Sequence, residues 1–128
     1  MIDAKELRIG NYIQLRNNHV MVGGIPNVYK LLIPGEQYAV EVKEFEPIPL
    51  TEELFLKCGF RFEYDSFCNG IELSYGISLY NTKDEDKNKL FISVNNAEYA
   101  ISHIPIKYLH QLQNIYYYLT GKELEVSL

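Results

Sequence analysis

Apolar and polar positions alternate in short stretches along the first part of the chain, the period of two that half-buried strands require. Ile9 to Leu15 reads as a first strand, closed by the turn-forming run Arg16-Asn17-Asn18. His19 to Gly23 reads as a second, with Val20 and Val22 on one face. Gly23-Gly24-Ile25-Pro26-Asn27 then breaks the pattern as a turn or bulge. Val28 to Ile33 predicts a third strand, ended by Pro34-Gly35. Tyr38, Val40 and Val42, alternating with Ala39, Glu41 and Lys43, predict a fourth. Strands this short and closely spaced predict a small curled antiparallel sheet or an SH3-like barrel over residues 1–46.

Pro47-Ile48-Pro49 reads as an extended connector, because a residue before proline is pushed out of helical angles. Thr51 is placed as a helix N-cap, with Glu52 and Glu53 in the first turn, where the helix dipole favours anions. Leu54, Phe55 and Cys58 form the buried stripe of a short helix that stops at Gly59. Alternation then resumes in Phe60, Phe62 and Tyr64, in Ile71, Leu73 and Tyr75, in Leu90, Ile92 and Val94, and in Tyr99, Ile101 and His103. Asn69-Gly70 reads as a hairpin turn and Thr82 to Lys89 as an exposed loop. The simplest arrangement is a four-strand antiparallel meander. From Pro105 to Thr120 the period changes: Tyr108, Leu109, Leu112, Ile115, Tyr116 and Leu119 make the stripe of an amphipathic helix that ends at Gly121. The tail from Glu123 to Leu128 could add an edge strand. The expected class is α+β, with residues 47–128 as a helix–meander–helix subdomain packed with residues 1–46 into one compact unit.

Composition narrows the chemistry. The 11 Tyr and 6 Phe, with no Trp, suit half-buried strand positions. The net charge is −5, from 12 basic and 17 acidic residues, and no basic block is present to neutralise a phosphate backbone, which counts against nucleic acid. The first residues, MIDAKELRIG, lack a secretory apolar core, and no apolar run is long enough to cross a bilayer. Cys58 and Cys68 are too few for a disulfide scaffold and read as reduced thiols, so the expectation is a cytoplasmic protein without membrane contact.

The catalytic and metal motifs are absent from the sequence. His19, His103 and His110 and the two cysteines form no C-x-x-C, H-x-x-x-H or H-E-x-x-H pair, so no metal and no cofactor is implied. Cys58 falls on a buried stripe, and Cys68 stands beside the Asn69-Gly70 turn without a local base. There is no G-x-S-x-G elbow, and Gly23-Gly24 lacks the rest of a phosphate-binding loop. Glu41, Glu44 and Glu46, like the mixed-charge run around Asp84, Glu85 and Asp86, read as solvated. The chain is expected not to be an enzyme.

One polar pattern stands out. His110, Gln113, Asn114 and Tyr117 share a face of the last helix at i, i+3, i+4 and i+7, and they are hydrogen-bonding side chains where an ordinary solvated face carries Lys and Glu. Two readings fit: a surface that contacts a partner, or a face packed on the N-terminal subdomain with its amides satisfying backbone groups. Arg8, Arg16 and Arg61 are the candidates for contacting a phosphate or other anion, if they converge.

Three segments carry a resemblance: Leu7-Arg8-Ile9-Gly10-Asn11-Tyr12; Pro47-Ile48-Pro49-Leu50-Thr51-Glu52-Glu53 with Gly59-Phe60; and Tyr108-Leu109-His110-Gln111-Leu112-Gln113-Asn114 with Leu119-Thr120-Gly121-Lys122-Glu123-Leu124. In these the chain resembles a family of small uncharacterised proteins of gut bacteria, their prophages and their phages. The resemblance implies no activity and no catalytic residue, only a mobile-element context in which small acidic proteins often act by binding. The expected function is therefore a non-catalytic binding module, a phage or mobile-element accessory protein that contacts a host or phage protein. The alternative is capture of a small nucleotide between the two subdomains, and a third is single-stranded nucleic acid on an aromatic face, against which the charge argues. A homodimer through a Tyr-rich face or the tail strand is left open by the sequence.

Overall fold

The computed structural model describes residues 2–63, 66–69, 77–82, 89–94, 102–105 and 107–128. It is an α+β structure of small antiparallel sheets with a C-terminal helix. The chain divides into two compact units, Met1–Pro49 with Tyr108–Ile115, and Leu50–Lys107 with Tyr116–Leu128.

The first unit begins with a 3₁₀ turn, Ala4–Glu6, capped by Asp3, whose carboxylate accepts from the Lys5 N–H at 2.9 Å. Strands β1 (Tyr12–Leu15) and β2 (Asn18–Met21) follow as a hairpin in which Ile13 faces Val20. Arg16 and Asn17 make its two-residue turn with φ of 49° and 67°, the doubly positive geometry that matches the twist of the strands. Before β1 the chain bulges. The Gly10 N–H donates to the Val22 carbonyl and the Val22 N–H to the Asn11 carbonyl, both at 2.8 Å, so two residues oppose one. Gly10 takes φ of 99° there, a conformation that costs a side-chain-bearing residue dearly.

Strands β3 (Gly24–Asn27), β4 (Lys30–Leu32) and β5 (Val40–Glu41) form a second sheet in that order, while β6 (Phe45–Glu46) returns to pair with β1. The expected SH3-like barrel is not formed: the first unit holds two open three-stranded sheets, β2-β1-β6 and β3-β4-β5. The Gly23-Gly24 break supplies the reason. The Gly23 N–H donates to the Leu32 carbonyl at 2.7 Å and Gly24 pairs with the same residue, so the chain leaves the first hairpin and starts a new ladder. A Cβ on Gly24 would stand 2.9 Å from Leu32 Cδ1, so a side chain there would require the exposed Leu32 side chain to shift. The expected fourth strand is also curtailed. Val40 is in β5, but Val42 opens a 3₁₀ turn (Val42–Glu44), and Tyr38 is 76% exposed rather than inward. Ile13, Leu15, Val22, Leu31, Ile33, Val40, Val42 and Phe45 form the core of this unit together with Ile2, Ala4 and Leu7.

In the second unit Thr51 caps helix α1 (Glu52–Lys57), its hydroxyl accepting from the Leu54 N–H at 3.1 Å. Leu54, Phe55 and Cys58 are buried, as the helical stripe requires. Strands β7 (Phe60–Glu63), β8 (Ser66–Asn69), β9 (Ile77–Thr82), β10 (Lys89–Val94) and β11 (Ser102–Pro105) pair in antiparallel fashion, each with its sequence neighbour. Phe60 pairs with Asn69 and Glu63 with Ser66, so Asn69 lies in β8, while Gly70, the other half of the expected turn, lies outside the described residues. The expected strand at 71–75, the centre of the 82–89 loop and the turn near Asn95 lie outside the described residues. The last helix, α2, spans Leu109–Thr120. The tail does not add a strand: Leu124 is buried and the Ser127 N–H donates to the Lys57 carbonyl at 3.0 Å. Among the described residues, no helix is long and apolar enough to cross a membrane.

Candidate functional site

Helix α2 starts where its first N–H groups find partners. The Tyr108 N–H donates to Gln111 Oε1 at 3.2 Å and the Leu109 N–H to the Ile48 carbonyl at 2.9 Å. That start sets the phase of the polar stripe and directs it at the N-terminal segment. Gln113, 1% exposed, accepts the Tyr12 N–H at 2.8 Å through Oε1 and donates from Nε2 to the Gly10 carbonyl at 3.1 Å. Asn114 donates from Nδ2 to the Glu6 carbonyl at 2.8 Å, and its Oδ1 accepts from Asn11 Nδ2 at 2.8 Å. Asn11 is fully buried, and its Oδ1 accepts the Arg8 N–H at 2.7 Å. Gln113 thus satisfies backbone groups that the Gly10 bulge turns away from the sheet, and Asn114 a carbonyl of the 3₁₀ turn. The segments 7–12 and 108–114 meet here.

His110 belongs to the same face and is 1% exposed. Its ring stacks on Tyr108, with centroids 5.9 Å apart and planes 8° from parallel. Nε2 stands 3.6 Å from Glu6 Oε2, beyond hydrogen-bond reach, and neither ring nitrogen has a hydrogen-bond partner. Burial lowers its pKa from the usual value, and the Glu6 carboxylate offsets this only in part. Of the four residues on the stripe, Tyr117 is the exposed one, at 36%, its ring edge-on to Tyr118 at 6.3 Å.

The arginines do not gather into an anion site within the first unit. Arg8 and Arg16 bracket β1 at opposite ends, and Arg16 pairs loosely with Glu44 at 3.7 Å. Arg61 lies in β7 of the second unit. No group of His, Cys, Asp and Glu suited to a metal ion occurs among the described residues. Cys58 is 3% exposed, and burial pushes its thiol up to about 12. With so little thiolate at neutral pH, maleimide labelling of Cys58 in a Cys68→Ser variant at pH 7.5 is expected to run at least about a hundredfold slower than in urea-unfolded protein. Labelling at the unfolded rate would contradict that burial.

The sequence reading missed a second feature, at the turn between β3 and β4. Val28 and Tyr29, expected inside a strand, form a two-residue turn between Asn27 and Lys30. Asn27 Oδ1 accepts the Tyr29 N–H at 2.8 Å, and the Tyr29 carbonyl accepts the Val42 N–H at 2.7 Å. The backbone of Tyr29 is therefore fixed while its side chain is 75% exposed. Beside it lies a groove of about 600 Å³ whose apolar lining includes Ile2, Ala4, Val28 and Val42, with Lys30 and the Lys43–Glu41 ion pair (3.0 Å) among its polar residues. Pro26-Asn27 was the available signal for this turn, since Asn before a turn bonds its own backbone two residues on.

Comparison with family models, with curated proteins and with solved structures finds no match for the chain.

Proposed function

We propose that this protein is a non-catalytic binding module that contacts a partner protein through the Tyr29 turn and its adjoining groove. The observation that carries the reading is the aromatic side chain held out on a fixed backbone beside an apolar depression. Tyrosine on a pre-ordered turn supplies contact area with little side-chain entropy to lose, which is why it recurs at interface hot spots. The polar stripe of α2 offers less, because His110 and Gln113 are withdrawn from solvent and Asn114 is engaged with Asn11 and Glu6. A mobile-element accessory role, with a host or phage protein as partner, is consistent with this mode of action.

Native mass spectrometry of the protein isolated from the cells that naturally make it supplies the partner. Tyr29→Ser is then expected to weaken that complex at least about tenfold, the effect of a hot-spot residue, with little change in thermal stability. Unchanged affinity in the variant would refute this site. A retained mass of a few hundred daltons in place of a protein would favour small-molecule capture instead.

A further inference from the structure

We infer that His110 and Glu6 form a protonation-sensitive latch that seats the N-terminal turn and, through it, one wall of the Tyr29 groove. Three observations place the latch. The imidazole is buried with no hydrogen bond to either nitrogen, an arrangement that folded proteins seldom keep without a reason. Glu6 faces it at 3.6 Å from the 3₁₀ turn Ala4–Glu6, and Asn114, on the same helix as His110, holds the Glu6 carbonyl. That turn carries Ala4, which with Ile2 and Asp3 lines the groove.

The neutral ring fits this position as a flat packing piece against Tyr108. The protonated ring would be a buried cation whose facing carboxylate, Glu6 at 3.6 Å, has a side chain that is 55% exposed and is therefore screened by water. The other charged groups beside the turn are engaged or exposed: Asp3 accepts the Lys5 N–H, Lys5 is exposed, and Arg8 Nη1 donates to the Ile9 carbonyl at 3.4 Å among its contacts. On the helix, Gln113 and Asn114 are neutral. Glu6 is thus the charge whose field reaches the ring.

The sign follows. A histidine that binds its proton less well in the seated state than in the released state draws stability from being neutral, so the seat is firm above the ordinary value of about 6.5 and weakens as pH falls below it. Acidification loosens the Ala4–Glu6 turn, disturbs the groove wall and lowers partner affinity. The last step rests on the groove being the partner site; the latch itself is tested on the protein alone.

The experiment is an NMR titration of the isolated full chain from pH 8 to pH 5. The His110 ring is expected to titrate below about 6.5, and amide exchange of Leu7, whose N–H closes the turn on the Ala4 carbonyl, to quicken several-fold and up to about tenfold between pH 7.5 and 5.5 once corrected for its intrinsic rate. His110→Phe, which keeps a flat buried ring, is expected to abolish that acceleration. If this variant does not fold, Glu6→Gln is expected to move the ring's midpoint lower still by removing the one offsetting charge. A midpoint at or above 6.5, or Leu7 protection equal at both pH values, overturns the latch. The groove reading fails separately, if Tyr29→Ser leaves partner affinity unchanged at pH 7.5.

Discussion

Replacing Gln113 with Leu is expected to lower stability by about 2–5 kcal/mol, although the two side chains are close in volume. Leu fills the site, which is 1% exposed, but leaves the part-buried Tyr12 N–H and Gly10 carbonyl without their side-chain partners. An orphaned buried backbone group costs about 1–3 kcal/mol, and the two here, being part-buried, together fall short of twice the upper figure. Urea denaturation measures the loss, with Tyr117→Leu, on the same helix but 36% exposed, as the comparison. That exposed change is expected to stay within about 0.5 kcal/mol, the usual range for surface substitutions. Equal effects at the two positions would mean that the stripe does not bind the N-terminal segment.

The second large effect is expected at Phe45. This ring is 2% exposed, on the strand that pairs with β1 through Leu15, and belongs to the core that both small sheets share. Phe45→Ala removes most of a buried aromatic side chain and leaves a cavity, a change that costs about 3–5 kcal/mol. For a domain whose total stability is typically about 5–15 kcal/mol, that suffices to leave it partly unfolded near body temperature. Phe45→Leu, which keeps more of the volume, is expected to cost clearly less. A loss below about 1 kcal/mol for Phe45→Ala would show that this core is not the main support of the first unit.

Local signals in the sequence were read correctly where neighbours alone decide the geometry. Thr51 caps α1, Arg16 and Asn17 turn a hairpin, and the strand breaks at Gly23, although Gly24–Asn27, expected as a turn or bulge, is strand β3. α2 keeps its apolar stripe, with Leu109, Leu112 and Tyr116 buried. The failures are of a different kind. Whether strands close into a barrel or split into two open sheets depends on pairings such as β6 with β1, which lie far apart in sequence. Tyr38, Val40 and Val42 alternate cleanly, yet only the central residue lies in a strand, because the chain turns at Val42. Tyr29 was read into a strand because its apolar neighbours Val28 and Leu31 outweighed the turn signal at Asn27.

The polar stripe illustrates both sides. Its uncharged composition was legible as unusual, and packing against the N-terminal part was one of the two readings it allowed. Its partners were not legible, since Tyr12 lies 101 positions from Gln113 and Asn11 lies 103 from Asn114. Periodicity reports which face a residue occupies, but not what that face meets. The groove left still weaker traces, because its wall is assembled from the first residues and from two separate turns.

The account depends most on the stripe of α2 being a clasp inside the first unit, so that recognition must occur elsewhere. A double-mutant cycle on Asn11→Ala and Asn114→Ala tests this directly, because the two side chains are bonded to each other at 2.8 Å. A coupling energy of at least about 0.5 kcal/mol in urea denaturation is the predicted result. Strictly additive losses, with no coupling, would contradict the clasp and return the polar face of α2 to solvent.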